Sequence, residues 1–259
     1  MLALLIDGLN MIRRIHAALP QEHEPQAALE GLSRSVQGSI RRALATHRPS
    51  HVCCVIDGQG RTWRHDIYPD YKKNRSPMPA DLSVGLPRLV EEIEGLGINC
   101  VSIPRLEADD VIASMANTFA AAGAEVIILS TDTSFCQLLG AGVRIHDHFA
   151  NMARDTHFVH DRFGVAPEFL PTLLALAGLP SVNIHGVKGI GTKTAAALVN
   201  QFGPLAAILR SSSDISGRPG TLLRAQTEAA ELAFKLVTLK MDVRVGRNLK
   251  QLRRPDALA

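Results

Sequence analysis

Short apolar runs recur through the first half of the chain: LALLID (2–7), HVCCVID (51–57), INCVSI (98–103), EVIILSTD (125–132) and VRIHD (143–147). Each is bounded by turn residues, as buried strands are. Between them lie amphipathic stretches near 27–46, 82–96 and 108–122, with apolar residues at helical spacing. Strands separated by helices predict β–α–β crossovers and a mostly parallel sheet covered on both faces. Beyond about residue 160 the strand runs stop, and helical segments follow near 167–177, 192–201, 204–211 and 221–239. RSSSDISGRPG (210–220) reads as an exposed loop. The pattern predicts an α/β domain over 1–160 and a small all-α domain over 161–259.

Composition adds that the chain is globular: 46% of its 259 residues are hydrophobic and 20% charged. No apolar run reaches the roughly 20 residues that span a bilayer, so no membrane partner is expected. The opening MLALLIDGLN lacks a basic n-region and meets an acid at Asp7, unlike a signal peptide. The four cysteines (Cys53, Cys54, Cys100, Cys136) show no CxxC spacing and read as core residues of a reducing, cytoplasmic compartment. Net charge is only +3, so a polyanionic partner has to be sought in how charge is distributed.

Asp7, Asp57 and Asp132 each close an apolar run. In open α/β sheets, sites form outside the carboxyl ends of the strands, which predicts one shared crevice. A fourth run is followed by RLEADDVIASMA, where Glu107 and Asp110 lie on one helical face and Asp109 flanks them. Singly, such acids cap turns and complement helix dipoles. Together they repel: one carboxylate pair about 4 Å apart costs roughly 4 kcal/mol at an effective dielectric of 20. Hard cations relieve this, and oxygen-only ligands suit Mg²⁺ or Mn²⁺. Carboxylate-bound Mg²⁺ points to phosphodiester or phosphoryl chemistry.

Between the second and third acidic points lies RTWRHDIYPDYKKNRSPMP (61–79). It holds Arg61, Arg64, Lys72, Lys73 and Arg75 together with the only Trp and both Tyr of the chain. Basic residues interleaved with aromatics suit a surface that grips phosphates and stacks on unpaired bases; a solvated loop with a few core anchors is the alternative. Further on, GVKGIGTKTAAALV (186–199) is a glycine-rich turn running into a helix, inside a stretch from Phe169 to Ser213 that contains no acid. Glycines allow close backbone approach, and a helix N-terminus favours phosphate. Lys188 and Lys193 add unopposed charge. GxxGxG matches neither the P-loop nor the dinucleotide fingerprint, so a nucleic-acid backbone is the expected ligand.

In order, Asp57 in IDG, WRHDIYPDYKKNR, LEADD, STDTSFCQLL and GVKGIGTKTA resemble the motifs of the bacterial 5′-nuclease, or flap endonuclease, family over nearly the whole chain. With no polymerase region attached, the chain looks most like a stand-alone branch of it. The resemblance implies a PIN-like nuclease domain followed by a helix–three-turn–helix DNA-binding domain, and Mg²⁺-dependent cleavage of 5′ flaps by a monomer. It implies that Asp7, Asp57, Glu107, Asp109, Asp110 and Asp132 hold the first metal, and that Lys72 and Arg75 guide the single strand and scissile phosphate. It implies duplex contacts at Lys188, Gly189, Ile190, Gly191, Thr192, Lys193 and Thr194, with Arg64 and Lys73 on the single-strand side. It also implies K⁺ held by carbonyls of Leu176, Ala177, His185, Val187 and Ile190. The chain departs from the family where DxD reads Asp132-Thr133-Ser134 and where GDxSDN reads Gly178-Leu179-Pro180-Ser181-Val182-Asn183. All the lost acids belong to the second metal site, so weak cleavage or flap binding without cleavage is the first alternative, and a PIN-type ribonuclease the second.

Overall fold

A computed structural model describes residues 1–20, 24–140 and 142–254. Among them one six-stranded sheet forms, from β1 (Leu2–Asp7), β2 (His51–Val55), β3 (Asn99–Val101), β4 (Glu125–Leu129), β5 (Val143–Asp147) and β6 (Met152–Arg154), in the order β3-β2-β1-β4-β5-β6. All neighbours pair in parallel except β5 and β6. The chain winds outward from β1 through β2 to β3, then returns to set β4 beside β1. That reversal opens a crevice at the carboxyl ends of β1 and β4. The helices near the sheet are α1 (Gly8–Ala18), α2 (Pro25–His47), α3 (Trp63–Ile67), α4 (Ala80–Glu94), α5 (Ala108–Ala121) and α6 (Thr156–Phe163). The second half holds α7 (Leu170–Ala177), α8 (Thr192–Phe202), α9 (Leu205–Arg210), α10 (Gly217–Ala225), α11 (Thr227–Val237) and the short α12 (Leu249–Leu252).

One face of the sheet packs on α1, α2 and α4 through Leu4, Ile6, Ile12, Ile40, Leu89 and Ile93. The other packs on α5, and that core runs on without a break through Phe135 and Leu173 to Leu223 and Leu236 in the helical half. Residues 161–254 therefore do not form a detached body, and residues 255–259 of the domain expected over 161–259 lie outside the described residues. After α11 the chain turns back along the first half. Asn99 Nδ2 donates to Gln251 O, Arg254 N donates to Ser50 O, and Val243 N donates to Ser114 Oγ.

The five apolar runs all form strands. Four helices (α1, α3, α6 and the short α12) and a strand lay outside the predicted pattern, and α10 begins within the stretch 210–220 read as a loop. α1 follows β1 with no intervening turn, because Asp7 itself caps it by accepting from Asn10 N. α6 starts on Asp155, whose side chain accepts from Phe158 N. α3 lies in the segment read from sequence as a basic surface arm, and β6 is a three-residue edge strand. Cys53, Cys54 and Cys136 are buried, as expected of small core residues.

Candidate nuclease site

The crevice is built from residues that end strands or begin helices, each aimed by a local hydrogen bond. Asp7, closing β1, accepts from Asn10 N (3.2 Å) and from Ser130 Oγ (2.7 Å). Asp57, just past β2, accepts from Ala108 N (2.8 Å). Asp132, past β4, accepts from Ser134 N (2.7 Å) and caps a short 3-10 turn. Asp109, in the first turn of α5, lines a cavity with Asp132, Ser134, Lys72 and Arg75. Burial pushes the Asp109 carboxyl well above its usual range, and the nearby Asp132 and Asp7 push it further. Asp7 is pushed up from 3.8 to about 7, chiefly by burial; bonds from Ser130 and Asn10 oppose this, and Asp132 and Asp57 add to it. These four carboxylates are thus near enough for their charges to act on one another.

Glu107 and Asp110 do share a helical face, as their spacing predicts; Glu107 meets the crevice only beside Lys72, and the face itself is closed off. It looks at Arg64, which is 2% exposed. Asp110 is wholly buried; Oδ1 accepts from Arg64 Nη2 (2.8 Å) and Lys240 N (3.0 Å), and Oδ2 from Arg64 Nη1 (2.8 Å) and Trp63 Nε1 (2.8 Å). A carboxylate offers about four acceptor directions, and all are filled. That geometry corrects the expectation that Asp110 holds a cation. Glu107 accepts from Arg64 Nη1 (2.9 Å) and Tyr71 OH (3.1 Å) on Oε2, and from Lys72 Nζ (2.8 Å) on Oε1, which leaves one acceptor direction. Arg64 in turn cannot be a DNA-surface residue, because its guanidinium is spent on buried acceptors. Trp63 and Tyr71 are likewise anchors of this network, not stacking platforms. Sequence could not show this, since nothing local distinguishes an inward from an outward arginine.

Lys72 stands in the left-handed region (φ 57), a strained place for a lysine. Three hydrogen bonds hold it there: Lys72 N to Val182 O (2.9 Å), Asn183 Nδ2 to Asp70 O (2.8 Å) and Asn74 Nδ2 to Pro180 O (2.6 Å). The loop GLPSVN thus braces the YKKNR turn. Neither Asn74 nor Asn183 stood out in the sequence. Arg75 and Lys73 are exposed, Lys73 beside Asp70.

The glycine-rich turn presents Lys188, Gly189, Gly191, Thr192 and Lys193 to solvent, with Thr194 half-buried. Gln226 fixes it from behind, accepting from Lys188 N (2.8 Å) and donating to Lys188 O (3.1 Å). Helix α8 begins at Gly191 with no capping side chain and no acid in its first turn, so its N–H groups face outward. Ile190 and Val187 bury their side chains, leaving only their backbones for a ligand. The turn crosses the end of α7 at contact distance. A Cβ at Gly186 (φ 61) would lie 2.4 Å from Gly178 N and 2.7 Å from Leu176 O, and one at Gly178 would lie 2.7 Å from His185 O. The carbonyls of Leu176 and His185 are therefore carried on two backbones that only glycine lets meet.

All-oxygen carboxylates with raised proton affinity fit a hard divalent cation. Among the described residues, no three acidic side chains converge in ligand geometry on one point. Also among these residues, no helix is long and apolar enough to cross a membrane.

Comparison with known proteins places this arrangement. Flap endonuclease Xni of Aeromonas hydrophila is 40% identical over 256 residues, covering 98% of this chain and 96% of that protein. Flap endonuclease Xni of Psychromonas ingrahamii is 38% identical over 255 residues, covering 98% and 97%. T5 5′-exonuclease with divalent zinc ions bound shares the fold at a TM-score of 0.80 and 20% identity, covering 92% of this chain and 89% of that one. Residues 2–164 match the 5′-3′ exonuclease N-terminal resolvase-like domain, and residues 165–258 match the 5′-3′ exonuclease C-terminal SAM fold. With both domain models matched across residues 2–258, the chain belongs to the 5′-3′ exonuclease family.

Proposed function

We propose that the chain is a structure-specific DNA nuclease that hydrolyses phosphodiester bonds where a 5′ single-strand flap meets duplex. The observation that carries this is the pairing, on one continuous hydrophobic core, of a carboxylate crevice beside Lys72 and Arg75 with a basic, acid-free helix start in the other half. Asp7, Asp57, Asp109 and Asp132, with the remaining acceptor of Glu107, would hold Mg²⁺, or Mn²⁺ in its place. When bound, such an ion lowers the pKa of water and polarises a phosphoryl oxygen. The chain's own part is to place the strand. Lys72 and Arg75 draw the scissile phosphate to the crevice, and the N–H groups of α8 with Lys188 and Lys193 hold a backbone phosphate of the duplex. Where the family pattern has acids, Ser134, Leu179 and Val182 line the crevice and supply no second carboxylate set. That supports one-metal hydrolysis slower than that of relatives with both sets. The test is cleavage of a labelled 5′-flap duplex with Mg²⁺. Binding without turnover would mark a flap-binding protein, and equal cleavage of single-stranded RNA would mark a ribonuclease.

Lys188→Ala or Lys193→Ala should weaken duplex binding alike for all sequences and reduce the slope of log K against log salt by about one, since each removes about one phosphate contact. An unchanged slope in both variants would count against the turn. We further propose that K⁺ is held at this turn by carbonyls of Leu176, Ala177, His185, Val187 and Ile190. Duplex binding should then be tighter in K⁺ than in Na⁺, and Gly186→Ala should erase that difference, because its Cβ would intrude on Leu176 O. Equal affinity of the wild type in both salts would remove K⁺ from the account.

A further inference from the structure

We propose that Arg64 is a positioning residue of the hydrolytic site, and that the segment leaving α11 completes the site through it. This rests on the metal-dependent nuclease reading above. A guanidinium has five N–H donors in a rigid fork, and here all five are used. Nε donates to Leu236 O (2.8 Å), Nη1 to Glu107 Oε2 (2.9 Å) and Asp110 Oδ2 (2.8 Å), and Nη2 to Asp110 Oδ1 (2.8 Å) and Thr238 O (3.4 Å). One planar group thus registers three separate parts of the chain: the turn carrying Lys72, the first turn of α5 carrying Asp109, and the end of the helical half.

The charges also match. Arg64 and Lys72 stand against Glu107 and Asp110, so the buried group is neutral as a quartet. Asp110 contributes no ligand; it holds Arg64, together with Lys240 N and Trp63 Nε1. The Trp63 ring has both Arg64 (4.5 Å) and Lys240 (4.3 Å) within cation–π distance of its centre. What Arg64 delivers is the orientation of Glu107. Its Oε2 is occupied, so the one free acceptor direction lies on Oε1, where Lys72 also sits. An arginine that merely filled the core would not be bound to a crevice carboxylate on one edge and to the carbonyls of a distant helix end on another.

The test compares wild type, Arg64→Lys and Trp63→Phe by Mn²⁺ affinity from calorimetry without DNA, flap binding in EDTA, and kcat and KM with Mg²⁺. Lysine keeps the charge but can meet at most three of the five acceptors. Arg64→Lys is expected to weaken Mn²⁺ about 10-fold and lower kcat about 100-fold, the range for residues that orient a metal ligand, with KM and EDTA binding within about threefold. Trp63→Phe should move Mn²⁺ affinity and kcat in the same direction by about threefold, through loss of one bond to Asp110. A folded Arg64→Lys protein with wild-type Mn²⁺ affinity and kcat overturns the proposal, as does a loss confined to flap binding. If Arg64→Lys does not melt cooperatively, Trp63→Phe decides on the same two readouts, and wild-type values in both overturn it. A wild type that binds Mn²⁺ yet cuts no flap would sink the nuclease reading, while the variants' Mn²⁺ affinities would still decide on Arg64.

Discussion

Asp109→Ala or Asp132→Ala lowers flap cleavage in Mg²⁺ by about 10³-fold or more, while flap binding in EDTA is unchanged or tighter. Asp109 and Asp132 line the cavity with Lys72 and Arg75, whereas Asp110 lies behind it. Losing a carboxylate that anchors a Lewis acid removes several kcal/mol of transition-state stabilisation, and about 4 kcal/mol is about 10³ in rate. Binding moves the other way, because each carboxylate faces the phosphates of the incoming strand and repels them. The opposite signs separate a site effect from unfolding, which would lower both. Rapid cutting by both variants would show the chemistry to lie elsewhere.

The second large effect is on stability. Asp7 is nearly fully buried with its carboxyl raised from 3.8 to about 7, and Asp109 is raised in the same direction. A raised folded-state pKa means that the folded protein holds protons the unfolded chain has released. The stabilisation is therefore complete below about pH 4 and lost as pH climbs through about 7. For Asp7 the loss amounts to about 4 kcal/mol at 1.4 kcal/mol per unit. A divalent cation binds the ionised carboxylates and competes with protons, so it restores what rising pH removes. The Tm gain on adding Mg²⁺ should be about 10 °C at pH 8 and below about 3 °C at pH 5, at roughly 2–4 °C per kcal/mol for a chain of this size. Asp7→Asn should flatten the pH dependence. Equal gains at both pH values would show that these carboxylates are not the cation's ligands.

Much of this was legible without coordinates. The runs at 2–7, 51–57, 98–103, 125–132 and 143–147 became strands because a parallel strand buried on both faces must be apolar along its length. Asp7, Asp57 and Asp132 came to one edge because parallel strands all end on the same side. The turn at 186–194 was legible through its glycines, and the close crossing of Gly186 and Gly178 gives the physical reason for them. Helix α1 escaped the pattern because its N-cap is also a candidate ligand, so no separate turn residue announces it.

What the residues could not disclose was the division of labour among the acids. In LEADD the spacing put Glu107 and Asp110 on one face, but whether that face met solvent, cation or arginine depended on Arg64 and on backbone 130 to 174 residues from its partners. Periodicity is a local property, so the chain's own order determined the sheet, the crevice and the outward turn. Hydrogen-bond saturation is a property of everything within 3 Å. Only the tertiary structure could show that Asp110 has no acceptor to spare, that Glu107 has one, and that the loop 178–183 holds Lys72 in place.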